Sequence, residues 1–270
     1  MNLKEITFCL MTCGEETESE CLEAIAPWKE KITFQEVRNI SPQIKALNQM
    51  LLQCQTEWLI PLDSDIVLYE DALDRIIRAI EKFQHDANWH TILFKLYDTL
   101  TETEILALKV LRAKIMKIHP FAETATPDVE HFHRLTAAGY TCIDQLLVKN
   151  PIGKHIVRGK HFCYHKYRDV YQTLRTHGYE WDSNVFKGGN TILEKSKAHY
   201  DFFLKKYLET DNEDYLWCIA GMTDGLTSDQ ENKSKDLSSV EYRYDRISIL
   251  DAYLSWYHFF YQESSKMPFF

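Results

Sequence analysis

Trp58-Leu59-Ile60-Pro61-Leu62-Asp63-Ser64-Asp65-Ile66 is the stretch on which the reading of this chain turns. An apolar run stops at two carboxylates placed two residues apart. A helical pattern follows, with Leu73, Ile76, Ile77, Ile80 and Phe83 on one stripe. Buried strands of open α/β sheets end in this way, and ligands bind at that carboxyl edge. Two acids placed there have to offset their mutual repulsion and partial desolvation. A divalent cation bridging to a phosphate does so directly, with oxygen ligands and positions left open for a substrate. The same triplet suits a plain turn, because Asp and Ser bond to nearby backbone. Its surroundings therefore carry the decision. Pro61 removes a ladder donor and predicts a bulge or a strand end at that point.

Working outward, residues 6–11 read as a first strand, closed by the turn Thr12-Cys13-Gly14. A helix from near Glu16 carries Cys21, Leu22 and Ile25 on one side. Residues 32–37 read as a second strand. Ser41-Pro42 opens a helix, with Ser at the cap and Pro at the first helical position, and an apolar face of Ile44, Leu47, Leu51 and Cys54. Residues 91–96 read as a fourth strand. The stretch 98–118 predicts a helix over 104–108 and a strand over 112–118. Thr126-Pro127-Asp128-Val129-Glu130 is a helix start, with Thr as cap, Pro first and two acids in the first turn, and the helix stops at Gly139. Residues 160–167 predict a strand and 169–177 a helix. Beyond Gly189 helical patterns dominate, over 191–208, 211–220 and 248–262. The alternation of strands and helices predicts an α/β fold: a layered sheet flanked by helices over 1–190, with a helical C-terminal extension over 191–270.

The chain has 270 residues, 45% of them hydrophobic, which suffices for a substantial core. Its net charge of −9 and lack of a basic cluster argue against nucleic-acid binding. The seven cysteines form no C-x-x-C pair, and several lie on apolar faces, so they read as small buried hydrophobes in a reducing compartment. With no signal-peptide layout and no apolar run of about 20 residues, the expected location is cytoplasmic. The 248–262 helix is aromatic nearly all round. Packing against the α/β domain is its plain reading, and a homodimer contact or a peripheral membrane contact is the sharper one.

Four patterns, in order, resemble family 2 glycosyltransferases of the GT-A fold, a Rossmann-like layered sheet. They are Thr12-Cys13-Gly14-Glu15; Arg38-Asn39 with Ala46-Leu47-Asn48; the run from Trp58 to Asp65 followed by Tyr69-Glu70-Asp71-Ala72-Leu73; and Pro127-Asp128-Val129-Glu130-His131-Phe132-His133-Arg134-Leu135 ending at Gly139-Tyr140. Together they cover about the first two-thirds of the chain. The resemblance implies a metal-dependent, inverting transfer of a sugar from a nucleotide-sugar donor, a UDP-sugar first, to a hydroxyl of a glycan or lipid-linked acceptor. It implies nucleotide contacts at Thr12, Gly14, Glu15, Asn39, Asn48 and Asp63. Asp63 and Asp65 correspond to the family's DXD acids, and with His165 they are the expected ligands of Mn2+ or Mg2+. His161 and His155 are further candidates. Asp128 is the expected catalytic base, taking the acceptor hydroxyl's proton during attack on the anomeric carbon. Pro127 stands where the family usually has Glu, and an acid in a first helical turn also suits the helix dipole alone. His131 and His133 flank Asp128 and either line the acceptor site or face solvent. Two competing readings are a nucleotidyltransferase and a non-catalytic nucleotide-sugar-binding module. The acidic turn after the first strand argues against the former.

Overall fold

A computed structural model describes residues 1–123, 127–144, 150–177 and 192–227. The aromatic helix expected over 248–262 lies outside them, and so does the Thr126 cap. The chain divides into two units, Met1–Ile156 and Val157–Phe270. The boundary expected near residue 190 falls in 178–191, also outside the described residues.

In the first unit, β1 (Ile6–Thr12) lies between β2 (Thr33–Arg38) and β3 (Trp58–Asp63), parallel to both. β1 and β3 are apolar at successive positions because both of their faces are buried. Ile6, Phe8, Leu10, Trp58, Ile60 and Leu62 enter one core, while Cys9 and Leu59 enter the other. The first core is closed by α1 (Glu18–Ile25) and α3 (Ala72–Phe83), through Cys21, Ile25, Leu73, Ile76 and Ile80. The second is closed by α2 (Gln43–Gln53), α4 (Ala113–Ile118) and α5 (Pro127–Ala137), through Leu47, Met50, Ile115 and Leu135. Burying one Leu, Ile or Phe side chain contributes roughly 1.5–3 kcal/mol, so the sheet draws on both helical layers.

Across the sheet, β3 meets β6 (Thr103–Arg112) antiparallel at Trp58↔Arg112 and Leu59↔Leu111. β6 pairs with β5 (Trp89–Asp98) along its length, around one irregularity at Phe94/Lys95. The strands β4 (Ile66–Leu68) and β8 (Gly153–His155) complete the order β2-β1-β3-β6-β5-β8-β4, with β7 (Thr141–Asp144) also against β5. Where β3, β6 and β5 meet, Trp58 and Trp89 stack at 5.2 Å. The buried Arg112 guanidinium lies 5.1 Å and 4.5 Å from their ring centroids and donates to the Asp86 and Gln84 carbonyls.

Several local expectations are corrected. β3 runs straight through Pro61, which stays in register opposite Cys9. Its ladder to β6 has ended at Leu59, and a missing N–H is tolerated where an edge has lost its partner. Pro42, not Ser41, occupies the cap of α2, with no side-chain cap bond. A short strand, β4, separates the acid pair from its helix. The order over 98–118 is reversed: residues 103–112 are strand and 113–118 helix. The helix formers Glu104, Leu106, Ala107 and Leu108 are overridden by the hairpin ladder with β5.

In the second unit, α6 (Lys160–His177), α7 (Ile192–Thr210) and α8 (Asp214–Thr227) are all helical. The strand expected over 160–167 is therefore the first half of α6. What decides it is packing against α8, where Gly221 and Gly225 let the two helices approach. A Cβ at Gly221 would lie 2.2 Å from the Tyr164 carbonyl oxygen, and one at Gly225 would lie 2.4 Å from that of Arg168. Five cysteines are buried (Cys9, Cys21, Cys54, Cys163 and Cys218), and burial pushes the Cys9 and Cys21 thiols up to about 12. Among the described residues no helix is long and apolar enough to cross a membrane.

Gly221→Ala tests the α6–α8 approach. Alanine's better helix propensity is worth up to about 1 kcal/mol. The backbone overlap outweighs it, and the expected net loss is about 2 kcal/mol, read by urea unfolding. Unchanged or raised stability would show that the helices do not meet this closely.

Candidate active site

The parallel register of β1 and β3 sets Met11 opposite Asp63, so the turns that follow both strands leave the sheet at one level. The first turn is built around Thr12. Its hydroxyl accepts from the Gly14 N–H at 2.9 Å and lies 2.8 Å from Glu15 Oε2 and 2.7 Å from Glu18 Oε2. One hydroxyl proton serves one of those carboxylates at a time. Gly14 sits at φ +86°, a region open to glycine at little cost. Asn39 follows β2 at φ +57° and donates its backbone N–H to the Thr12 carbonyl at 2.9 Å. Asparagine is among the few other residues that enter this region readily.

Glu15 joins the two turns. Its carboxylate accepts from the Cys13 N–H at 2.9 Å and from the Ser64 hydroxyl at 2.7 Å. Ser64 is 4% exposed, so the middle residue of Asp63-Ser64-Asp65 points inward while Asp63 stays exposed. Partial burial opposes ionisation of Glu15, but the bonds from Ser64, Thr12 and Cys13 outweigh it and hold the carboxyl below its ordinary range. Glu18 is held low as well, first by its bond to Arg38, whose Nη2 lies 2.7 Å from Glu18 Oε1.

Asp65 faces the opposite neighbour. Its carbonyl accepts from the Ile156 N–H at 2.7 Å, which draws the end of β8 alongside. His155 Nε2 lies 3.1 Å from Asp65 Oδ2, and His155 Nδ1 lies 2.8 Å from Asp98 Oδ2. The other oxygen of Asp98 accepts from the Leu100 N–H at 3.1 Å, the Thr101 N–H at 2.8 Å and the Thr101 hydroxyl at 2.9 Å. Asp65 Oδ1 is buried and has no hydrogen-bond partner among the described residues.

Residues 16–133 match the model of the family described as Glycosyl transferase family 2. This stretch is a family 2 glycosyltransferase domain. Solved structures similar to the chain include the mannosyltransferase PcManGT from Pyrobaculum calidifontis in complex with GDP-Man and Mn2+, at 12% identity over 93% of this chain and 82% of that one, with a TM-score of 0.48. Another is S. aureus TarS 1-349 in complex with UDP, at 13% identity over 81% and 90%, with a TM-score of 0.42. A third is the bifunctional IspDF from Campylobacter jejuni, at 12% identity over 52% and 48%, with a TM-score of 0.38. At these identities and scores none of them bears on what this chain binds. No curated protein matches it.

Within the first unit, Thr12, Gly14, Glu15, Asn39, Asp63 and Asp65 gather at the carboxyl edge of β1, β2 and β3. Asn48 turns elsewhere: its amide donates to the Phe121 carbonyl and accepts from the Phe121 N–H, both at 3.0 Å. It thereby holds the segment that leads into α5. That helix is also held by His131, whose Nε2 lies 2.5 Å from the His119 carbonyl, and by Arg134, which donates to Pro120 at 2.7 Å. His131 is therefore a buried anchor, and burial pushes its pKa down. His133 is exposed. Asp128 is the second residue of α5, where the sequence places it, and its side chain lies outside the described residues. His161 and His165 lie on α6 in the second unit, with ring centroids 6.0 Å apart.

The histidine lying against Asp65 in the first unit is His155, on a three-residue strand that offers little pattern to read. No sequence motif marks Asp98. Its available signal is that it ends a buried apolar strand, as Asp63 does. Among the described residues no group of three or more His, Cys, Asp or Glu side chains is arranged to hold a metal ion. Asp98, His155 and Asp65 form a chain rather than a cage. The open end of that chain still fits a cation. Ligand atoms at about 2.1 Å from a small divalent ion stand about 3 Å apart in octahedral geometry, close to the Nε2–Oδ2 separation. The partnerless Asp65 Oδ1 is a second sign of an absent positive group.

Ser64→Ala removes one bond that favours ionised Glu15. A carbon-13 carboxyl titration is expected to show the Glu15 pKa rising toward its ordinary value, with Thr12 and Cys13 still restraining it. Because the folded pKa lies below the unfolded one, the Glu15 contribution to stability is present at neutral pH and lost as pH falls through the lowered folded value. The variant should narrow that acid-side loss. An unmoved Glu15 titration would mean that Ser64 contributes nothing to it.

Proposed function

We propose that the chain is a metal-dependent, inverting glycosyltransferase that moves a sugar from a nucleoside-diphosphate sugar, a UDP-sugar first, to a hydroxyl of a glycan or lipid-linked acceptor. The observation that carries the reading is the meeting of Asp65 and His155 at 3.1 Å, in the unit that contains the family 2 glycosyltransferase stretch. In this reading Asp65 and His155 are the residues that would hold Mn2+ or Mg2+. His155 takes the ligand role that resemblance alone gave to His165. A cation held there by one or two protein groups would draw its other ligands from the donor's phosphates. When bound, the ion neutralises the diphosphate and stabilises it as leaving group.

The chain's own residues supply the rest. Thr12, Gly14 and the backbone of Asn39 shape the floor beneath the nucleotide, and exposed Asp63 faces its ribose. Glu15 is saturated by its own hydrogen bonds. Its part is to keep the two turns together. Asp128 accepts the proton of the acceptor hydroxyl as that oxygen attacks the anomeric carbon from the side opposite the diphosphate, so one displacement inverts the configuration. Asn48, His131 and Arg134 keep the helix bearing Asp128 in place.

Calorimetric titration with UDP, and with GDP in parallel, tests the donor side. Wild-type protein should bind one of them in the presence of Mn2+ and bind much more weakly without it, and Asp65→Ala should abolish the metal dependence. Binding that ignores Mn2+ would overturn metal dependence. On the acceptor side, Asp128→Asn should lower turnover about 100-fold to 10,000-fold with donor binding unchanged. Unaltered turnover would remove Asp128 as base.

A further inference from the structure

We propose, resting on that reading, that Asp98 is the positioning residue of the metal pair: it holds the His155 ring with its proton on Nδ1, so that Nε2 offers its lone pair beside the Asp65 carboxylate. A neutral imidazole donates from one nitrogen only. Both nitrogens of His155 lie within hydrogen-bonding distance of a carboxylate, at 2.8 Å and 3.1 Å. What decides between them is the surroundings of Asp98. Its Oδ1 is committed to three donors in one turn, the Leu100 and Thr101 N–H groups and the Thr101 hydroxyl. The residue is 3% exposed. Three converging donors stabilise the ionised carboxylate and fix its rotation, so Oδ2 is presented to Nδ1 as an acceptor.

The backbone reinforces this arrangement. The Thr99 N–H donates to the His155 carbonyl at 3.0 Å, and the Thr99 hydroxyl donates to the same oxygen at 3.2 Å. The parallel register of β5 with β8 sets Asp98 directly opposite His155, and the antiparallel register of β4 with β8 sets Ile66 there on the other side. One three-residue strand thus carries the ring between the two acids. With Nδ1–H spent on Asp98, the Nε2 lone pair of the neutral ring and Asp65 Oδ2 repel one another unless a proton or a metal cation lies between them. A carboxylate behind a metal-binding histidine fixes its tautomer and raises its basicity.

Asp98→Asn discriminates this role from simple support of the turn. The three turn donors still require an oxygen at Oδ1, so the new amide nitrogen takes the place of Oδ2 and faces the ring as a donor. The ring must then accept at Nδ1 and carry its proton on Nε2, which blocks the metal position. Long-range proton–nitrogen spectra of the full chain, metal-free and at alkaline pH, read the tautomer, with His155→Gln providing the assignment. Wild type should show Nδ1–H and Asp98→Asn should show Nε2–H. Wild type with Nε2–H overturns the proposal, whether or not the variant folds. In calorimetry with UDP present, Asp98→Asn should bind Mn2+ about 10- to 100-fold more weakly. A folded Asp98→Asn with wild-type tautomer and wild-type Mn2+ affinity makes Asp98 a turn anchor only and overturns the proposal. If wild type itself binds no Mn2+ with UDP, the metal-dependent function falls, and the tautomer spectra still decide whether Asp98 sets the ring.

Discussion

The parallel ladder between β1 and β3 is the constraint on which the first unit depends. It sets Met11 opposite Asp63 and so brings two turns, one after each strand, to the same level of the sheet. A slip of β1 by one residue would exchange its two buried faces, placing Phe8 and Leu10 where Cys9 now sits. The mismatch in side-chain volume between those sets makes such a slip costly, because close-packed cores tolerate volume changes poorly. The position of the acid pair relative to the Thr12 turn is thereby a consequence of core packing.

Electrostatics then divides the acids by role. Glu15 and Asp98 are each surrounded by donors, so their charges are satisfied by the protein itself. Asp65 has one oxygen against a histidine and one without a partner among the described residues. Of the three, it is met by the fewest donors among the described residues. The three acids end or follow strands of the same sheet, and what separates them is the number of N–H and O–H groups pointed at each. A carboxylate with three donors is a structural group, and one that lacks them where solvent is scarce favours a bound cation.

Much of this architecture is legible in the amino-acid order. The runs at 6–11 and 58–63 are largely apolar at successive positions because both faces of those strands are covered, and α3 shows a single apolar stripe because only one of its faces is. Errors arise where local preference and long-range pairing disagree. Glu104 to Leu108 favour a helix in isolation and are drawn into β6 by ten residues of β5 alongside. The start of α6 is rich in aromatic and histidine residues that suit a strand equally well, and two glycines more than 40 residues away, Gly221 and Gly225, decide the matter by admitting its backbone.

The sequence by itself determined the strand–helix alternation, the acid pair at the end of β3, the turn at Thr12 to Glu15 and the helix start at Pro127-Asp128, because each depends on residues within about one turn or one strand of each other. Only the tertiary structure decided which histidine stands beside Asp65 and that Asp98 stands behind it. Asp65, Asp98 and His155 are far apart along the chain, and they meet because β8 is inserted between β5 and β4. Sheet order is set by how several strands pair at once, a property that no local stretch of residues carries.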